Sequence, residues 1–251
     1  MVARRRAPSR WVAQEHQRIR RALGLTRSPS RNEGLRSYLG SPVPVRGVSA
    51  HELHQVVGAA LARVRTRSPD ERRALLRALW GGGWFEEKAV AIGLLGRPPL
   101  VDDERSWRLG ARWVEDATGW ALSDSLASGP IAQQVTDRPE RFAEVLRWTA
   151  SKNLWRRRAS AYALRAFVQA GDLDRPFELL RRLRDDPERW VQRAVGTWLR
   201  ECWKKDRPRT ERFLRRESRR LAPIAITVAT ERAPKNFREE LRRAHRAQGP
   251  V

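Results

Sequence analysis

"SAHELHQVVGAALARVRTRSPDERRALLRALW", residues 49–80, carries two helix starts in one short stretch. Ser49 is followed three residues on by Glu52, and Ser68 is followed by Pro69 and then Glu71. In such a capping box the serine oxygen accepts a hydrogen bond from the backbone N–H three residues later. The glutamate in return accepts from the N–H of the serine, so two otherwise orphaned donors are satisfied. Proline at the first helical position costs nothing, because the N–H it lacks had no helical partner. Leu75, Leu76 and Leu79 then recur at three- and four-residue spacing, which is one apolar stripe. The stretch therefore predicts two amphipathic helices joined by a short polar turn.

The same reading extends along the chain. "DRPERFAEVLRW" (137–148) suggests another start, with Asp137 as cap and Glu140 at the third position. Further helices are predicted near 84–96, 103–114, 118–127, 153–169, 175–184, 188–204, 208–217, 222–232 and 236–246, and strand signals are nearly absent. Successive helices with short polar turns predict an all-α chain, a HEAT-like α-solenoid of stacked helix pairs with a concave basic groove. No strict sequence period accompanies the structural repeat. Residues 1–31 are expected to form a basic, partly mobile N-terminal segment, 32–246 the helical-repeat domain and 247–251 a short tail. The first 36 residues hold ten Arg and two Glu, 10 − 2 = +8, and residues 203–246 hold 15 Lys plus Arg and six Asp plus Glu, 15 − 6 = +9. The second region keeps its helical pattern and is expected to be a folded basic surface.

Composition narrows the function. The 251 residues carry 52 Lys plus Arg against 29 Asp plus Glu, a formal net charge of +23. Such an excess favours nucleic acid first and an anionic membrane surface second, although solvated faces that simply use arginine would give the same number. One cysteine, Cys202, excludes an internal disulfide and any multi-cysteine metal site, and the four histidines form no convincing ligand set. No metal and no cofactor are expected. No apolar run approaches the ~18 residues of a membrane span and no signal peptide is visible. A cytoplasmic protein acting as a monomer is the expectation.

Two helices could offer a basic surface. In "NLWRRRASAYALRAFVQ" (153–169) consecutive arginines point ~100° apart, so Arg156, Arg157 and Arg158 cannot all serve one partner. The stripe Trp155, Arg158, Tyr162, Arg165 and Gln169 mixes aromatic planes with guanidinium groups, whereas Leu154, Ala161, Leu164 and Val168 form the apolar side. In "ERWVQRAVGTWLRECWKK" (188–205), Val191, Ala194, Val195, Trp198 and Cys202 form the expected core side. Trp190, Arg193, Thr197, Arg200 and Lys204 lie toward a basic side. The chain has 11 tryptophans; Trp80, Trp107, Trp113, Trp148 and Trp198 are assigned to packing. Trp120 and Trp155 differ, because each has a charged residue, Asp124 and Arg158, three or four positions on.

The ordered pieces "YLGSPVP" (38–44), "LW" (79–80), "WALSDSL" (120–126), "SKNLWRRRASAYAL" (151–164), "VQRAVGTWLRE" (191–201) and "KKDR" (204–207) resemble the DNA alkylation repair family, the AlkD-like DNA glycosylases. The similarity runs from about Arg36 to Arg246. The resemblance implies HEAT-like repeats around duplex DNA and hydrolysis of the N-glycosidic bond of cationic alkylpurines such as 7-methylguanine and 3-methyladenine, leaving an abasic site. It places the catalytic carboxylate at Asp124, an aromatic partner at Trp120 and a further site residue at Arg158. It expects a second tryptophan after the glycine of "AVG", where this chain has Thr197.

The chemistry suits a lone carboxylate. A purine alkylated at N7 or N3 already carries positive charge and leaves without a general acid, so the enzyme need only stabilise oxocarbenium character on the deoxyribose. A carboxylate in a partly dehydrated site does so by Coulomb attraction, and an aromatic face adds ~1–2 kcal/mol. The same Asp124 can orient the attacking water. Two other readings stand beside this one: a non-catalytic HEAT-repeat protein that binds damaged or branched DNA, encouraged by Thr197, and a solenoid whose groove takes an acidic protein. Retention of both Asp124 and Arg158 separates the first reading from the last.

Overall fold

The computed structural model describes residues 9–24, 29–98, 100 and 104–246, and among them the chain is helical without strands. Residues 1–8 and 25–28 of the expected N-terminal segment, and the whole 247–251 tail, lie outside the described residues. The chain divides into two compact units, Met1–Pro130 and Ile131–Val251.

The first unit contains α1 (Arg10–Ala22), α2 (Pro29–Leu39), α3 (Ala50–Val64), α4 (Pro69–Trp80), α5 (Phe85–Leu95), α6 (Glu104–Asp116) and α7 (Trp120–Leu126). Both capping boxes form: Ser49 Oγ accepts from Glu52 N at 3.2 Å while Glu52 Oε2 accepts from Ser49 N at 2.9 Å, and Ser68 and Glu71 repeat the exchange. The N-terminal stretch holds a helix that the apolar pattern alone left unassigned. Val12 and Ile19 of α1 are buried, and the buried Glu15 takes a two-pronged hydrogen bond from Arg63 of α3. Leu75, Leu76 and Leu79 of α4 and Val90, Leu94 and Leu95 of α5 are fully buried. Trp80 of α4 stacks on Trp113 of α6, with centroids 4.5 Å apart and planes 8° from parallel. Trp80, Trp107, Trp113, Trp148 and Trp198 are all buried, in keeping with packing roles.

The second unit contains α8 (Ala132–Asp137), a 3-10 turn at Pro139–Arg141, and then α9 (Phe142–Trp148), α10 (Leu154–Tyr162), α11 (Arg165–Ala170), α12 (Asp174–Arg182), α13 (Arg189–Lys205), α14 (Arg207–Glu217), α15 (Pro223–Ala229) and α16 (Lys235–Arg246). The start expected at Asp137 is not there. Asp137 is instead the last residue of α8, its carboxylate accepting from Gln133 Nε2 at 2.8 Å, and Arg138, with no side-chain cap, precedes the 3-10 turn. The long helix expected at 153–169 is two helices. The hydrogen-bond ladder tightens at Leu164, whose N–H reaches Ala161 rather than a residue four back, and α11 begins at Arg165. Helix α13 runs through the middle of the unit and buries Val191, Ala194, Val195, Trp198 and Cys202, the expected core side. Its Gly196 lies against α15 so closely that a Cβ would stand 2.6 Å from the Ala225 carbonyl oxygen. That contact explains the glycine of "AVG".

Candidate functional site

Asp124 and Trp120 both sit on α7, four residues apart and therefore on one face. Asp124 is 9% exposed and Trp120 is half-buried. Trp120 is fixed from outside its own helix. Its indole Nε1 donates to the Tyr38 carbonyl at 2.6 Å, and the Tyr38 ring meets it edge-on with centroids 5.4 Å apart. Gly119, just before the helix, has φ 81° and ψ 153°, a backbone region essentially reserved for glycine. A Cβ there would stand 2.0 Å from the carbonyl oxygen of Gly40. The Tyr38–Gly40 segment and the Gly119–Trp120 turn thus clasp each other directly. The "YLGSPVP" piece carries this clasp, a role that its residues do not announce in isolation. Two glycines, Gly40 two residues after Tyr38 and Gly119 directly before Trp120, were the available signal.

In the second unit, α10 and α13 bring five of the singled-out residues together. The guanidinium of Arg158, 5% exposed, donates to the Trp190 carbonyl and to Tyr162 Oη at 3.1 Å. It stands 4.9 Å from the Tyr162 ring centre and 5.8 Å from that of Trp190. Trp155 lies 6.0 Å from Trp190, their planes tilted by 41°, and the guanidinium of Arg193 is 6.0 Å from the same indole. The three consecutive arginines do diverge. Arg156 lies over the Trp148 ring at 5.3 Å, and Arg157 pairs with the buried Asp186 at 2.5 Å. That second pair ties the start of α10 to the turn before α13, which places Arg158 beside Trp190. Gln192 helps from the other side: buried at 2% exposure, its Nε2 donates to the carbonyls of Leu183 and Asp186 at 3.0 and 2.9 Å. A polar residue at an apolar position of α13 is the sequence signal for this glutamine.

The remaining basic-side residues are placed otherwise. Arg165 is exposed but belongs to α11, so the proposed stripe from Trp155 to Gln169 does not run along one helix. Arg200 pairs with Glu231 at 2.5 Å, Lys204 pairs with Glu201 at 2.6 Å, and both basic groups spend charge within the chain. Thr197 donates its hydroxyl to the Arg193 carbonyl at 2.9 Å. Trp190 and Thr197 are seven residues apart, about 10 Å along the axis of α13, so Trp190 does not occupy the place of the tryptophan expected at 197.

Cys202 is fully buried, and burial pushes its thiol up to about 12, with Glu201 adding to the rise. A neutral thiol is a poor nucleophile. An alkylating thiol reagent at pH 8 is expected to leave native Cys202 unmodified by mass spectrometry, with full modification in denaturant. Rapid native modification would contradict the buried placement. Among the described residues no group of three or more His, Cys, Asp or Glu side chains could hold a metal ion, and no helix is long and apolar enough to cross a membrane.

A family model described as "DNA alkylation repair enzyme" matches residues 19–233, a span that includes α7, α10 and α13. The chain belongs to the DNA alkylation repair enzyme family. Its fold is that of solved family structures. A predicted DNA alkylation repair enzyme from Enterococcus faecalis aligns with a TM-score of 0.73 at 18% identity, covering 85% of this chain and 99% of that one. AlkD2 from Streptococcus mutans aligns with a TM-score of 0.60 at 16% identity, covering 82% and 99%. No curated protein sequence matches. Family membership makes DNA alkylation repair the role of the chain, and the all-helical architecture is the HEAT-like fold of these neighbours.

Proposed function

We propose that this repair protein is a cofactor-independent, monofunctional DNA glycosylase that hydrolyses the N-glycosidic bond of 7-methylguanine and 3-methyladenine in duplex DNA, working as a monomer in the cytoplasm. The observation that carries the reading is the buried carboxylate of Asp124 on the helix face of an externally fixed Trp120. A carboxylate withdrawn from bulk water attracts a developing oxocarbenium ion far more strongly than a solvated one, and a fixed indole adds its face at no cost of reorganisation. Trp155, Tyr162, Trp190 and Arg193 supply a cationic, aromatic surface suited to phosphate and deoxyribose, with the buried Arg158 holding Trp190 and Tyr162 in place. The repeat domain is taken as 32–246, with α1 packed against it. The test is incubation of the protein with duplex containing 7-methylguanine and measurement of free base. Release above the spontaneous rate supports the enzyme.

A second reading, a DNA-binding repair protein without glycosylase activity, is favoured by one observation, the threonine at 197. If an absent aromatic plane limits catalysis there, Thr197→Trp is expected to raise single-turnover excision about five- to thirtyfold, the equivalent of ~1–2 kcal/mol of cation–π attraction. An unchanged rate in a folded variant would show that position 197 is not where the missing ring belongs. Tight binding to lesion duplex with no release by either protein would establish the second reading.

A further inference from the structure

Helices α4 and α6 lie side by side in the first unit and run in the same direction. Asp70 near the start of α4 is 3.7 Å from Arg105 near the start of α6, while Trp80 and Trp113 stack at the other ends. Between them is a recess of about 250 Å³ lined by Asp70, Arg73, Arg77, Arg105, Arg108, Leu109 and Arg112. Five guanidinium groups there face one carboxylate. None of the residues around Trp120 or Asp124 lines it. The apolar sides of both helices point the other way: Leu75, Leu76 and Leu79 of α4 and Trp107 and Trp113 of α6 are buried, with α4 packed on α5 and α6 on α7. The recess is therefore on the outer side of a helix layer whose inner side faces the layer carrying Asp124.

Arg73 and Arg77, and likewise Arg108 and Arg112, are like charges four apart, an arrangement unfavourable on an isolated helix. Glu104 offsets part of this on α6 by pairing with Arg108 at 3.1 Å, and Asp70 is the one acidic residue among those lining the recess. The recess already accepts an anion. Asp70 is bound by Arg73 at 2.7 Å, and the Arg73 hydrogen bond, helped by Arg105 and Arg77, holds its carboxyl below the usual range. Arg73 and Arg77 are about 6 Å apart along the axis, and Arg105 to Arg112 spans about 10 Å. A duplex carries one negative charge per ~1.7 Å of its axis, so a cationic row of this length can face several phosphates. No aromatic side chain lines the recess to stack on unpaired bases, which favours the backbone of a duplex over a single strand.

We propose that the arginine recess between α4 and α6 is a second DNA-backbone site, which grips a duplex segment other than the one presented to Asp124. A straight duplex cannot lie against both layers of the unit, so one chain holds two segments. The proposal rests on the chain being a DNA-repair protein and not on its being a glycosylase.

The experiment tethers one undamaged duplex to beads, adds the protein, and measures capture of a second, labelled duplex. The parent is expected to capture it. The triple variant Arg105→Ala, Arg108→Ala, Arg112→Ala, checked for fold by circular dichroism, is expected to bind the tethered duplex but lose capture of the second by tenfold or more. The salt slope of capture should fall by about 0.9 for each lost phosphate contact. Asp70→Asn, which keeps every arginine and removes the internal anion, is expected to retain the second duplex to higher salt. Absence of capture by the parent, equal capture by the triple variant, or weaker capture by Asp70→Asn would overturn the proposal. So would displacement of the second duplex from the parent by polyglutamate but not by unlabelled duplex. Excision of 7-methylguanine is expected to be unchanged in the arginine variants. Failure of the parent to excise strikes the glycosylase reading and leaves the capture result standing.

Discussion

Asp124→Asn is expected to excise 7-methylguanine roughly 30- to 1000-fold more slowly than the parent under single-turnover conditions, with duplex affinity intact or slightly improved. The two side chains have the same shape, so the buried position on α7 accepts the amide. What changes is charge. A neutral amide cannot match a carboxylate facing an oxocarbenium ion, and losing that stabilisation costs about 2–4 kcal/mol in the transition state. The ground state, by contrast, loses a negative group from a surface that meets a polyanion. Saturating enzyme removes binding from the measured rate and isolates the chemical step. An Asp124→Asn protein as fast as the parent would refute the catalytic role and leave the α7 pair as packing.

Gly119→Ala is expected to destabilise the fold by about 3 kcal/mol or more and to lower Tm by roughly 6–12 °C. The backbone at this residue, with φ 81° and ψ 153°, is strained for any side chain. A Cβ would also stand 2.0 Å from the Gly40 carbonyl oxygen and 2.7 Å from its carbon, and backbone atoms cannot rotate aside as a flexible side chain can. The Tyr38–Gly40 segment would have to withdraw, taking the Tyr38 carbonyl away from the Trp120 indole. Gly171→Ala is the control. Gly171 has φ 82°, but a Cβ there would meet nothing within 4 Å, so only the backbone preference of about 1 kcal/mol is lost. Differential scanning calorimetry of both variants separates the clash from the dihedral. A Gly119→Ala protein within about 2 °C of the parent would mean that the clasp is not held as described.

Much of the fold is written in local signals. The capping pairs Ser49 with Glu52 and Ser68 with Glu71 operate within three residues, and they form as the sequence indicates. The core side of α13 follows from a 3.6-residue period and is buried throughout. Asp137 with Glu140 offered the same local pattern and failed, because α8 runs on through Asp137 and leaves Arg138 at the start of the following turn. The apparent continuity of 153–169 failed for a related reason. Periodicity counts residues but does not register that the ladder tightens at Leu164.

The sequence by itself determined the all-helical class, the helices that carry good caps and clear periods, and the ordered pieces by which the family is recognised. These depend on residues one to four positions apart, where chain geometry alone sets which groups meet. Only the tertiary structure decided the fates of Arg156, Arg157 and Arg158, which end on Trp148, Asp186 and Trp190 respectively. It alone joined Tyr38 to Trp120 across 82 positions and set the arginines of α4 beside those of α6. Such meetings depend on which helix faces pack together, and that choice is made by the buried side chains of the whole unit, a sum no local window contains.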